Sequence, residues 1–107
     1  IKPCFFDEGT VAYDTWYDGC KAAESAYFEL LALGRTPQEA RDVLPNSLKT
    51  EVVITMNPRE WRHFFKLRAC GSSGKPHPQM LEIAVPMLRA FQQKFPVIFD
   101  DLVPMDV

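Results

Sequence analysis

The chain has 107 residues, with 12 Lys+Arg against 14 Asp+Glu and a formal net charge of −2. That length accommodates a single domain over residues 1–107, and a composition that is 47% apolar and 24% charged is globular rather than disordered. The slightly acidic balance excludes a globally basic nucleic-acid binder, though not a local basic patch. No apolar run nears the roughly 18 residues of a membrane span, so no membrane association is expected. Three cysteines, Cys4, Cys20 and Cys70, are an odd and widely spaced set. They argue against a disulfide framework and fit a reducing, cytoplasmic setting, and the first residues carry no signal-peptide pattern. The sequence opens on Ile1 rather than Met, which points to a processed, truncated or incomplete chain.

Residues 1–13 show no period and read as an extended lead-in with a turn at Asp7-Glu8-Gly9. From Asp14 a helical period begins. Trp16, Cys20, Ala23, Tyr27 and Leu30 recur at steps of four and three, which predicts a helix over 14–33 with Gly34 as its left-handed stop. Thr36-Pro37-Gln38-Glu39 is a helix start: a hydroxyl cap, Pro at the first position and Glu39 to close a capping box. The helix it opens, 37–44, is halted by Pro45. Residues 50–56 hold five β-branched side chains in seven and predict a strand. A lone strand is not stable, so this one needs a sheet partner from missing sequence or another subunit.

Asn57-Pro58-Arg59-Glu60 repeats the start signal and opens a helix to about Arg68. Residues 69–78 read as a loop. A long helix follows, with Met80, Ile83, Met87 and Phe91 as its apolar stripe and Pro86 inside it. Phe95-Pro96 ends that helix, and 96–103 form one more short one with Phe99 and Leu102 inward. The expected fold class is therefore α+β, mostly helical, with long helices around one strong strand.

Several chemistries fall away. Cys4, Cys20, Cys70, His63 and His77 contain no C-x2-C or H-x3-H pair, so no metal site is expected. Gly71-Ser72-Ser73-Gly74-Lys75 is not a phosphate loop, because Ala69 stands where the first Gly belongs and Pro76 where Ser or Thr should follow. No motif supports Cys70 with His63 as nucleophile and base. The informative segment is 58–68, where Arg59, Arg62, Lys66, Arg68 and His63 stand against Glu60 alone. Arg is favoured where planar anions are held bidentately. A solvated basic face over a Trp61–Phe64–Phe65 core is an equally physical reading, and a DNA-reading helix is a third, opposed by the acidic remainder.

The order of residues adds a resemblance. Ala40-Arg41-Asp42-Val43-Leu44-Pro45, then Thr50 and the segment after it, then Met56-Asn57-Pro58-Arg59 and His63-Phe64-Phe65-Lys66-Leu67-Arg68-Ala69, then His77-Pro78-Gln79-Met80 and Glu82-Ile83-Ala84, follow one another as in the C-terminal half of the flavin-dependent thymidylate synthases. The likeness covers roughly residues 14–103. It implies a mixed α/β fold and a homotetramer with active sites between subunits. It also implies synthesis of thymidylate (dTMP) from deoxyuridylate (dUMP), with methylenetetrahydrofolate giving the carbon and NADPH reducing bound FAD. By the same resemblance Arg41 and Arg68 contact dUMP, Arg68 being the catalytic residue at the pyrimidine. Asn57, Pro58, Arg59 and His63 line the FAD. The family's N-terminal signature, an R-H-R-x7-S-like element, is absent. The chain then reads as the C-terminal piece of a longer enzyme, incomplete alone, or as a non-catalytic remnant that binds a nucleotide or its own copies.

Overall fold

A computed structural model describes residues 1–106. The chain divides into two compact units, Ile1–Glu51 and a second that begins at Val52.

The first unit is built on helix α1, Val11–Ala32. It starts three residues before the apolar period does, because the Thr10 side chain accepts the Tyr13 N–H at 3.2 Å and caps the helix there. The lead-in therefore ends at Thr10. At the other end the Gly34 N–H bonds the Leu31 carbonyl and the Arg35 N–H bonds the Leu30 carbonyl. This paired closure needs a left-handed residue, and Gly34 supplies it with φ +84°. Helix α2, Pro37–Ala40, carries the full capping box: Glu39 N–H donates to the Thr36 hydroxyl and Thr36 N–H to the Glu39 carboxylate. A 3₁₀ turn, Arg41–Val43, follows, and Leu44 is already extended ahead of Pro45. No residue of α1 is buried. Its Trp16–Cys20–Ala23–Tyr27–Leu30 stripe is only half-covered.

The strand is the expectation that fails. Among the described residues there is no strand at all, and the fold is helical rather than α+β. Within 50–56 no backbone hydrogen bond reaches any other described residue. Val52, Val53 and Ile54 stand 71%, 98% and 53% exposed. The β-branched side chains favour extended backbone, but strand propensity measures fit to a pleated neighbour, and nothing in the described chain provides one.

The second unit packs helix α3, Pro58–Arg68, against helix α4, Pro78–Lys94, with the short helix α5, Pro96–Phe99, against α4. Its core is Phe65, Ala69, Leu81, Ala84, Val85, Leu88, Phe99 and Leu102. On α4 the buried row is Leu81, Ala84, Val85 and Leu88, at helical spacing. The predicted stripe is thus displaced by one residue. Met80, Met87 and Phe91 flank the core, and Ile83 is 59% exposed. Phe65 sits among aromatic rings, with centroids 5.8 Å from Trp61, 5.1 Å from Phe91 and 5.9 Å from Phe99. Its contacts with Phe91 and Phe99 are edge-to-face, the arrangement the ring quadrupoles prefer. Helix α4 continues as one helix through Pro86. Helix α5 ends at Phe99, shorter than the predicted 96–103, with Phe99 and Leu102 both buried.

Candidate functional site

Helix α3 carries five of the six candidate residues. Asn57 is its N-cap, with Oδ1 accepting the Glu60 N–H at 2.9 Å. That bond uses the amide oxygen and leaves the amide NH₂ to donate elsewhere. Pro58 occupies the first helical position, where its missing N–H costs nothing. Arg59 and His63 are one turn apart on one side of the helix, with Lys66 near the same side. All three are exposed, and among the described residues none of the three side chains has a hydrogen-bond partner. The result is a short row of donors, Asn57 to His63, offered outward by a helix whose opposite side is anchored by Phe65.

Arg68 does not belong to that row. Nine residues after Arg59, it lies roughly 180° around the helix. It continues instead the row of Trp61 and Phe64, which are half-buried against the core, and emerges where that row leaves the core at the helix end. It is exposed and makes no ion pair among the described residues. Its cation also sits in the last turn, where the helix dipole favours it. So the structure separates the residues assigned to flavin from the one assigned to the pyrimidine.

Arg41 belongs to the first unit, at the start of the 3₁₀ turn. There it lines a shallow pocket of about 480 Å³ with Tyr27, Pro37, Gln38, Leu44 and Leu48. Beside it a larger groove of about 640 Å³ runs between α1 and residues 44–49, faced by Trp16, Tyr17, Tyr27 and Phe28. The Trp16 indole N–H donates to the Ser47 hydroxyl at 3.1 Å and ties the two walls together. Trp16 and Tyr27 belong to the helical period of α1, and that period does not distinguish a covered stripe from an open one.

Among the described residues the second unit holds one side-chain ion pair. Arg62 grips Asp101 bidentately, Nη1 to Oδ1 at 2.6 Å and Nη2 to Oδ2 at 2.7 Å. Nη1 also donates to the Ile98 carbonyl. The partners are 39 residues apart, so no local pattern announces them. The hydrogen bonds from Arg62 hold the Asp101 carboxyl down at about 2, against an ordinary 3.8. A depressed carboxyl stabilises the folded chain above its unfolded value and loses that contribution as pH falls toward the folded one. The acid limb of the stability curve between about pH 4 and pH 2 is therefore expected to be steeper in the natural sequence than in Asp101→Asn. Urea midpoints across that window measure it, and equal slopes would remove the pair from the acid response.

Burial pushes the Cys70 thiol up, and Asp101 adds to the effect. A raised thiol does not favour Cys70 as a nucleophile. Among the described residues no group of three or more His, Cys, Asp or Glu is placed to hold a metal ion. No helix there is long and apolar enough to cross a membrane.

With this geometry in place, comparison with known proteins is decisive on kinship. The family model described as thymidylate synthase complementing protein matches residues 2–97. The chain belongs to that family. The match begins at Lys2, so the lead-in and the start of α1 are included, a wider span than the 14–103 resemblance at its N-terminal side. The flavin-dependent thymidylate synthase of Geobacter sulfurreducens is 39% identical over 84 residues, covering 78% of this chain and 35% of that protein. The Corynebacterium aurimucosum enzyme of the same name is 34% identical over 96 residues, covering 89% and 37%. The Pyrococcus furiosus enzyme is 32% identical over 93 residues, covering 87% and 35%. The chain thus spans about a third of the length of the curated relatives it matches. No solved structure matches it.

Proposed function

We infer that this chain supplies the C-terminal half of the active site of a flavin-dependent thymidylate synthase. The reaction is reductive methylation of dUMP to dTMP, with methylenetetrahydrofolate as carbon donor and NADPH as reductant of a bound FAD. The assembly in this reading is a cytoplasmic homotetramer. The observation that carries it is the row of unengaged donors on α3, standing in a chain that belongs to this family.

The donor set suits the groups it would meet. Asn57 has an amide NH₂ to spare, and Arg59 and His63 present cationic or hydrogen-bonding heads from one side of a rigid helix, where a dinucleotide's diphosphate and ring edges need donors. The flavin, when bound, supplies the redox and one-carbon chemistry. The chain's own part is to bind and orient. Arg41, in the lining of the 480 Å³ pocket, offers a guanidinium to the nucleotide's anionic groups. Arg68 acts on the pyrimidine. As C5 of the ring becomes electron-rich, negative charge spreads to N3 and the carbonyl oxygens. A guanidinium already in place beside them stabilises that charge without reorganising at the moment of reaction. No enzyme nucleophile is called for, which accords with the raised Cys70 thiol.

The test is direct. The purified full gene product is expected to be yellow, to release FAD on denaturation as identified by mass, and to bind dUMP in calorimetry. A protein that carries no flavin and ignores dUMP would overturn the enzymatic reading and leave the alternative of a non-catalytic remnant.

A further inference from the structure

The C-terminal segment of the second unit is tied by hydrogen bonds to both α3 and α4. Arg62 binds both the Asp101 carboxylate and the Ile98 carbonyl. From α4, Gln92 Nε2 donates to the carbonyls of Phe99 at 3.1 Å and Leu102 at 2.8 Å. Phe99 and Leu102 are themselves buried in the core. The segment then reaches the end of α3, where the Met105 N–H donates to the Ala69 carbonyl at 2.8 Å. Ala69 is the C-cap, fully buried, and follows Arg68 directly. Gly71 lies under the same crossing. A Cβ there would meet Met105 Sδ at 2.6 Å, and φ is +68°, so both space and backbone favour glycine.

We propose that residues 98–105 form a strap that fixes the last turn of α3 and thereby aims Arg68, with Arg62, Asp101 and Gly71 as positioning residues. The proposal rests on the role given to Arg68 above. The reason for a strap is physical. The last turn of a short helix frays, because its final carbonyls lack intrahelical partners. Here the Lys66 carbonyl is taken by the Ser72 N–H, and the carbonyl of the C-cap Ala69, next to Arg68, is taken by the strap's Met105 N–H. Arg68 has no side-chain partner of its own among the described residues, so its aim depends on the backbone beneath it. A displacement of about 1 Å in a substrate-positioning group costs on the order of 10²-fold in rate.

A double-mutant cycle in the full gene product tests this. The measured quantity is the dissociation constant for dUMP, with flavin content read in parallel. Asp101→Asn keeps size and loses the ion pair; it is expected to weaken dUMP binding about tenfold with flavin content unchanged. Asp101→Glu, which restores the carboxylate, should recover most of that loss. In an Arg68→Ala background Asp101→Asn should weaken dUMP no further, because a strap that works through Arg68 has nothing left to aim. Gly71→Ala serves as an independent second variant and should behave in the same way. Equal losses with and without Arg68 would overturn the strap, as would unchanged binding in Asp101→Asn. A natural-sequence protein that binds no dUMP would instead overturn the functional reading itself, and the strap's purpose with it.

Discussion

Arg68→Ala in the full gene product is expected to lower thymidylate formation by about 10²–10³-fold, the usual cost of removing one preorganised donor from developing negative charge. Flavin content should be unchanged, since Arg59 and His63 face away from Arg68 on the same helix. The fold should also persist. Arg68 is exposed and engages no acid among the described residues, so its removal strands no buried partner. What is lost is a favourable charge near the helix C-terminus, worth about 0.3–1 kcal/mol, partly offset by alanine's higher helix propensity. A rate loss of that size is about 3–4 kcal/mol of transition-state stabilisation, well above any effect on folding. Arg68→Lys should fall between, because the ammonium keeps the charge but not the planar fork. Steady-state rates with saturating cofactors, alongside urea midpoints, separate the two effects. Full activity in Arg68→Ala would take Arg68 out of the mechanism.

The parts of this architecture that were legible are those decided within four or five residues. The Thr36–Glu39 capping box, the Asn57 cap with Pro58 behind it and the Gly34 stop all form where the sequence places them, because a cap is a local contract between one side chain and nearby N–H groups. The sharing of one α3 side by Arg59 and His63, and the exclusion of Arg68 from it, follow from helical geometry alone. What failed needed distant neighbours. Residues 50–56 have the side chains of a strand and no ladder. Helix α4 bears two overlapping apolar rows one residue apart, and only packing against α3 and α5 selects Leu81–Leu88 over Met80–Phe91. Arg62 read as one more charge on a basic helix. Its partner Asp101 lies 39 residues further along the chain, where no local pattern links the two. Thr10 was missed for a different reason: a cap that precedes the apolar period leaves no periodic trace.

Phe65→Ala is expected to have the largest effect on folding. Phe65 is completely buried, and its ring is the one that Trp61, Phe64, Phe91 and Phe99 all pack around. Truncating a buried Phe removes the transfer free energy of its ring and leaves a cavity, together about 3–5 kcal/mol. Set against a domain stability of about 5–15 kcal/mol, that is a large share. The same truncation at Phe28, which is 59% exposed on α1, should change stability by no more than about 0.5 kcal/mol. The functional consequence follows from which helix Phe65 belongs to. It anchors the side of α3 opposite Arg59 and His63, so its loss should release the donor row and lower flavin content together with stability. Arg68→Ala, by contrast, should spare both. Urea unfolding followed by near-ultraviolet circular dichroism, with flavin absorbance recorded on the same samples, distinguishes these outcomes. A drop of less than about 1 kcal/mol for Phe65→Ala, with flavin retained, would mean that α3 is held in place by something other than this aromatic core.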